Sequence, residues 1–233
     1  MKKLNNIVDF HSHILPGADH GSSSVETSIF QLDQAYSHGI TRVIATPHFY
    51  PHKHTVKAFL ERRNAAYEKL MAEYHGEVEI RLGAEVMLCD GLENLAVLDQ
   101  LFIHGTKTLL LELPYDVFKD EYCDSVKKMV EQGIDVVLAH ADRYPKKNIE
   151  KMLKCGARAQ LNASSLCKLF KRRELYKWIK DKNVIALGSD IHGKSKKSYD
   201  DFTRAVNKIA KNAEYIKAES DSVWDKSTEL LLS

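Results

Sequence analysis

The sequence has no stretch of 18 uncharged apolar residues, no CxxC pair, only 5 prolines in 233 residues and almost no net charge. Each shortage closes off a class of protein. Without a long apolar run no membrane-spanning segment is expected, and the opening MKKLNNIVDF has two lysines but no apolar run of signal-peptide length. The expected location is the cytoplasm, with no direct membrane insertion. The four cysteines, Cys89, Cys123, Cys155 and Cys167, are spaced too widely for a zinc ribbon or a redox dithiol and read as reduced cytosolic thiols. With 11 glycines and 44% apolar residues, collagen-like, mucin-like and wholly disordered chains are excluded. The formal charge of +2, from 34 Lys and Arg against 32 Asp and Glu, argues neither for nor against nucleic acid, and none is expected as a partner.

What is present is unevenly spread. Residues 1–142 carry 13 basic and 21 acidic side chains, whereas residues 143–182 carry 13 basic and 3 acidic ones. The 11 histidines exceed what a neutral core needs, and several sit beside carboxylates in short polar clusters.

Seven short β-branched runs alternate with helical periodicity: 7–11, 42–46, 79–85, 108–112, 135–140, 158–162 and 184–190. Helices are expected over 25–38, 53–75, 119–132, 147–155, 166–180 and 199–213. Strand followed by helix, repeated, predicts an α/β fold with a parallel sheet and right-handed crossovers. Gly39 and Gly133 stand where helix C-terminal caps hand over to strands. No linker divides the chain, so residues 1–233 read as one domain, with an irregular connection near 90–106 and a C-terminal tail or helix at about 218–233.

The strand ends carry the chemistry. They close on His11 and His13, His48, Glu85, Glu112, His140, Asn162, and Asp190 with His192. In a parallel barrel such ends converge on one mouth. His11-x-His13 and Asp190-x-His192 each set two ligands two residues apart on one side of an extended segment. Gathering two Glu and an Asp is costly unless cations compensate them. Nine candidate ligands, His11, His13, His20, His48, Glu85, Glu112, His140, Asp190 and His192, are too many for one tetrahedral ion and suit two or three divalent ions. Mixed N and O donors suit Mn2+, Zn2+ or Fe better than Mg2+ or Ca2+, and Mn2+ is the expected ion, with Zn2+ or Fe as alternatives.

The run 9–21 (DFHSHILPGADHG), with TPH48, GAE85, LE112, AHADRY at 139–144, QLNASSL at 160–166 and GSDIH at 188–192, resembles the polymerase and histidinol phosphatase (PHP) superfamily. It is most similar to that superfamily's bacterial capsular-polysaccharide-regulating protein tyrosine phosphatases. The resemblance implies a distorted seven-stranded (β/α)7 barrel, TIM-barrel-like, with a trinuclear metal site. It further implies hydrolysis of phosphotyrosine on the tail of a bacterial tyrosine autokinase that controls capsular or exopolysaccharide synthesis, to whose membrane-bound form the protein would be recruited. By motif position, His11, His13, Glu85 and Asp190 would hold one ion, Glu85 would bridge to a second held by Glu112 and His140, and His48 and His192 would hold the third. His20 stands where the family usually has an aspartate, so either it or Asp19 completes that site. Arg143 occupies the position of a phosphate-gripping arginine and, with Asp190 and His192, is the expected catalytic set. The family's second arginine, beyond the DxH motif, is replaced here by Lys194, Lys196 and Lys197.

Cys167 and Arg173 match the spacing of cysteine-dependent phosphatases, but the residues between them are bulky and helical in pattern, which excludes the phosphate-cradling loop that chemistry needs. Basic residues 168–173 read either as a surface for an acidic tail or as a solvated helix face. Phe49, Tyr50, His52 and His54 read as an aromatic lip, with core packing the alternative for Phe49. Two other functions stay open at this level: a small-molecule phosphatase acting on a substrate such as histidinol phosphate, and a weakly active PHP binding module.

Overall fold

The computed structural model describes residues 7–115, 118–168 and 172–215. The tail expected at 218–233 and residues 169–171 of the Cys167–Arg173 segment lie outside the described residues. The strands are β1 (Ile7–Ser12), β2 (Ile40–Ala45), β3 (His48–Phe49), β4 (Glu79–Leu82), β5 (Glu85–Met87), β6 (Thr108–Glu112), β7 (Asp135–Leu138), β8 (Arg158–Asn162) and β9 (Val184–Gly188). The helices are α1 (Val25–Ser37), α2 (Val56–Met71), α3 (Glu121–Glu131), α4 (Lys146–Lys154), α5 (Ala163–Leu166), α6 (Arg172–Lys180) and α7 (Lys196–Tyr215).

Every strand pairing is parallel, as the alternation of strand and helix predicts. The single seven-stranded barrel is not what forms. Among the described residues the nine strands lie in two sheets, ordered β1-β2-β4 and β3-β5-β6-β7-β8-β9, and the sheets do not close into one barrel. Two of the seven expected runs account for the difference. The chain leaves β2 at Thr46-Pro47, where proline has no N–H for a ladder bond, and re-enters as β3. The neighbouring run breaks at Gly83-Ala84 between β4 and β5, and the buried guanidinium of Arg63 donates to the freed Gly83 carbonyl at 3.0 Å. The two breaks lie side by side, because Ala45 pairs with Leu82 below them and His48 with Glu85 above. At the other seam the Asp190 N–H donates to His11 O at 2.9 Å and the His13 N–H to Ile191 O at 3.2 Å.

Side-chain caps start the first two helices: Ser24 Oγ accepts from Thr27 N–H and Thr55 Oγ1 from Ala58 N–H, each at 3.2 Å. The helix expected over 166–180 is instead two, α5 and α6. The larger apolar cluster packs helix residues such as Leu32, Phe59, Val126, Ile149 and Trp178 on the outer strand faces. A smaller cluster, including Val8, Phe10, Ile44, Leu110, Val137 and Ile185, draws on strands of both sheets. Polar residues at the strands' C-terminal ends are thus backed by close-packed hydrocarbon, which holds them in place.

Candidate metal centre

Eight of the nine candidate ligands meet in one cluster. His11 and His13, at the end of β1, bring their Nε2 atoms to 3.1 Å of each other. Glu85 Oε2 lies 3.2 Å from His11 Nε2, 3.4 Å from His13 Nε2 and 2.9 Å from His48 Nδ1, while its Oε1 is 2.8 Å from His140 Nε2. Glu112 flanks this pair, with Oε1 3.6 Å from His140 Nε2 and Oε2 3.6 Å from His48 Nδ1. Asp190 Oδ1 is 3.4 Å from His13 Nε2 and 3.8 Å from His11 Nε2. Three compact groups that could hold an ion result: His11, His13 and Glu85; His48, Glu85 and Glu112; and His13, His48 and His192. His48 therefore belongs with the two glutamates as well as with His192, a sharing that strand-end positions alone do not disclose.

Hydrogen bonds outside the cluster decide which ring nitrogens face inward. Gln160 Oε1 accepts from His11 Nδ1 at 3.0 Å, Asp19 Oδ2 from His13 Nδ1 at 2.7 Å, and the Asp190 carbonyl from His192 Nδ1 at 3.0 Å. Each Nε2 is left with a lone pair. Two imidazole nitrogens facing each other at 3.1 Å need a proton or a metal ion between them, and nitrogens each ~2.1 Å from one ion lie about 3.0–3.4 Å apart. Both Glu85 oxygens, Glu112 Oε2, His48 Nδ1 and His192 Nε2 are buried without a hydrogen bond, despite their short separations. These donors fit divalent ions. They are aimed at a common space rather than at one another.

The electrostatics agree. Burial pushes the Glu85 carboxyl up, but the neighbouring imidazoles of His11, His13 and His140 outweigh it and hold it well below its ordinary value. Burial opposes charge on His48 and His140, yet Glu112 and Glu85 raise both to about 9. Burial and the neighbouring His13 charge lower His192 to about 4. Behind the cluster, Asp9 accepts from Ser189 N–H at 2.7 Å and Ser189 Oγ at 2.6 Å, fixing the turn that carries Asp190, and burial lifts its carboxyl to about 6.

Left-handed backbone recurs at the same place. Among described non-glycine residues only His140 (φ 31°), Asp190 (φ 52°) and Lys182 (φ 60°) adopt the left-handed conformation, and two of these three are candidate ligands. Gly21 and Gly188 make room: a Cβ on Gly188 would lie 2.6 Å from His11 Cβ, and one on Gly21 would lie 2.3 Å from His13 Cβ.

The remaining expected residues are placed as follows. His20 is exposed and belongs to none of the compact groups, but its ring stacks against His48 at 4.8 Å and His192 at 4.7 Å. Asp19 is turned away from the cluster centre, toward His13 Nδ1 and the His48 N–H at 3.1 Å. Arg143 sits at the rim, paired with Asp190 and with its Nη1 3.4 Å from Tyr115 Oη. Phe49 packs in the core against Phe59, whereas Tyr50 stacks on His48 at 5.2 Å. Cys167 ends α5 with Sγ 3.4 Å from Asp201 O, and burial raises its thiol, so it lacks the ionisation of a nucleophile.

The sequence model of the family described as capsular polysaccharide synthesis, CpsB/CapC, matches residues 7–229. The chain belongs to this family. Its relatives include the tyrosine-protein phosphatase CpsB of Streptococcus agalactiae, 25% identical over 80% of this chain and 83% of that protein. The tyrosine-protein phosphatase YwqE of Bacillus subtilis is 28% identical over 70% of this chain and 67% of its own length. Among solved structures, the fold is similar to that described for YwqE of Bacillus subtilis and CpsB of Streptococcus pneumoniae as unique metal-dependent tyrosine phosphatases, with a TM-score of 0.75, 20% identity and coverage of 97% and 93% of the two chains. Histidinol phosphate phosphatase of Lactococcus lactis, solved with zinc, L-histidinol and phosphate, aligns with a TM-score of 0.55, 13% identity and coverage of 88% and 94%.

In this CpsB/CapC chain, strand-end reading overlooks two contributors, Gln160 and Tyr115, and leaves the role of Asn162 unassigned. Gln160 lies in the QLNASSL motif, but only its pairing across β8 reveals that it orients His11 while also accepting from the His140 N–H at 2.7 Å. Asn162, whose Nδ2 donates to Asp190 Oδ2 at 3.0 Å, was visible only as a polar strand end. Tyr115, 57% exposed and stacked on Tyr144 at 5.3 Å, follows Glu112 by three residues and carried no sequence signal.

Proposed function

We propose that this protein is a metal-dependent phosphomonoesterase that hydrolyses protein phosphotyrosine in the control of capsular or exopolysaccharide synthesis. Membership of a capsular polysaccharide synthesis family and relatives named tyrosine-protein phosphatases support the reaction class. The observation that carries it is the convergence of imidazole nitrogens and carboxylate oxygens, several of them buried without a hydrogen bond, beside an arginine at the rim.

His11, His13, Glu85 and Asp190 would hold one ion, Glu85, Glu112 and His140 a second, and His48 and His192 a third with His20 beside them. Mn2+ is the proposed metal, with Zn2+ or Fe as alternatives. Divalent ions supply Lewis-acid chemistry, polarising phosphoryl oxygens and acidifying water. The protein's own groups do the rest. Arg143, freed from Asp190, offers a planar fork to two phosphate oxygens. Asp19 keeps its proton partner on His13 Nδ1, and Gln160 does the same for His11, so neither ring can rotate its lone pair away. His192, neutral over the working range, presents Nε2. The phenol of tyrosine ionises near pH ~10, so it departs as phenolate with little need of a side-chain acid. We infer further that the protein works in the cytoplasm on the phosphorylated tail of a tyrosine kinase.

The test is phosphate release by chelator-stripped protein resupplied with Mn2+, Zn2+ or Mg2+, using a phosphotyrosine peptide and histidinol phosphate in parallel. Turnover that survives chelation overturns the metal requirement. Preference for histidinol phosphate overturns the protein-phosphatase reading.

A further inference from the structure

The three connections that follow β7, β8 and β9 form one continuous sector of rim beside the metal centre. Asp142, after β7, accepts from the N–H of Asn162, the last residue of β8, and from Ser165 Oγ in α5, both at 2.7 Å. Asn162 in turn donates to Asp190 after β9, and Cys167 Sγ reaches Asp201 O on α7. The helices leaving this sector open on paired basic residues: Lys146-Lys147 in α4, Arg172-Arg173 in α6 and Lys196-Lys197 in α7. Such pairs oppose the positive end of the helix dipole, where acids are normally favoured. Elsewhere Glu26 lies in the first turn of α1 and Glu121 and Asp124 in that of α3, while α2 starts without an acid and α6 carries Glu174 beside its basic pair. Three basic pairs at helix starts along one sector concentrate positive charge there.

Lys147, Lys168, Arg173, Lys194 and Lys196 are exposed and have no ion pair among the described residues. Arg143 stands at the inner edge of the sector, so its positive potential runs continuously into the phosphate-binding position. Residues 1–142, which supply the rest of the rim, carry the chain's acidic excess.

Building on the phosphotyrosine reading, we propose that this basic sector binds an acidic polypeptide flanking the phosphorylated tyrosine, so that negative charge beside the phosphoryl group selects the substrate. The contribution is to encounter and ground-state binding, not to the chemical step, and so falls on KM and weakens with salt.

The experiment compares phosphotyrosine peptides with Asp/Glu-rich, neutral and Lys-rich flanks, alongside free phosphotyrosine, using the metal-loaded protein and a Lys147→Glu/Lys168→Glu/Arg173→Glu variant. The acidic-flanked peptide should show a KM about tenfold below that of the neutral one at ~50 mM salt, with equal kcat and an advantage that collapses by ~300 mM. The variant should lose the advantage and keep its turnover of free phosphotyrosine. Equal KM for acidic and neutral peptides, or a preference that survives in the variant, overturns the proposal. So does binding to phosphatidylserine vesicles that the variant loses while peptide flanks make no difference, since the sector would then face a lipid surface. Fluorescence anisotropy of the labelled peptides reads the same preference without turnover, so failure to hydrolyse free phosphotyrosine would count against the catalytic reading alone.

Discussion

Asp19 Oδ2 accepts a 2.7 Å hydrogen bond from His13 Nδ1 and also takes the His48 N–H, while Oδ1 receives Gly21 N–H at 2.8 Å. One carboxylate thereby sets the ring of one candidate ligand and the backbone of another. Burial pushes its own carboxyl up, but the His13 proton and charge hold it far below its ordinary value, so it stays an acceptor at any working pH.

Replacing Asp19 with Ala should leave the fold intact and weaken metal affinity by about 10–100-fold, the usual cost of losing a partner that orients a ligand. Chelator-competition titration measures it. An unchanged affinity would mean that Asp19 does not act through His13.

Gly188→Ala should act on the site from behind, since the new Cβ would lie 2.6 Å from both His11 Cβ and Gln160 Nε2. Overpacking of this kind costs about 1–3 kcal/mol, and here the atoms pushed aside are a candidate ligand and its partner. We expect a lowered melting temperature together with reduced bound metal. Wild-type metal content with lowered stability would show that His11 escapes the clash.

Tyr115 offers an exposed ring beside Arg143. Tyr115→Ala should raise KM for aryl phosphates by about 2–10-fold, in keeping with aromatic pair energies of roughly 0.5–1.5 kcal/mol. Alkyl phosphates should be unaffected and Tyr115→Phe should retain most of the wild-type behaviour. A uniform loss for both substrate types would point instead to a disturbed Arg143.

The metal-stripped protein should be pH-sensitive in a definite direction. His48 and His140 are raised to about 9, so the stability they contribute is complete below the unfolded value near ~6.5 and is lost as pH rises through about 9. Metal binding expels the same protons, so affinity should climb over that window, about tenfold per pH unit for each proton displaced. Denaturant midpoints of stripped protein between pH ~6.5 and ~9, with parallel metal titrations, test both halves. A stability that rises across this window contradicts the assignment.

Strand ends were legible because βα periodicity is strong and because His11, Glu85, Glu112 and His140 each close an apolar run; convergence then follows from parallel topology. The sheet break was not. Pro47 and Gly83 are visible as breakers, but nothing local says that they fall side by side and divide one wall between two sheets. The split of 166–180 into α5 and α6 was hidden for a similar reason, since periodicity continues across the interruption. Roles that depend on pairing across strands, such as Gln160 on His11, have no signature along the chain. His20 shows the opposite limit: a motif position assigns it to the ligands, and only the ring geometry shows it stacked at the rim beside them.

The left-handed backbones of His140 and Asp190 have a consequence for anyone seeking a hardier variant. A residue strained by roughly 1–3 kcal/mol is the natural place for glycine, and screening this chain for heat resistance alone should draw replacements to positions 140 and 190. The survivors would be sturdier and inert, because two of the three described non-glycine residues in that conformation are also candidate ligands.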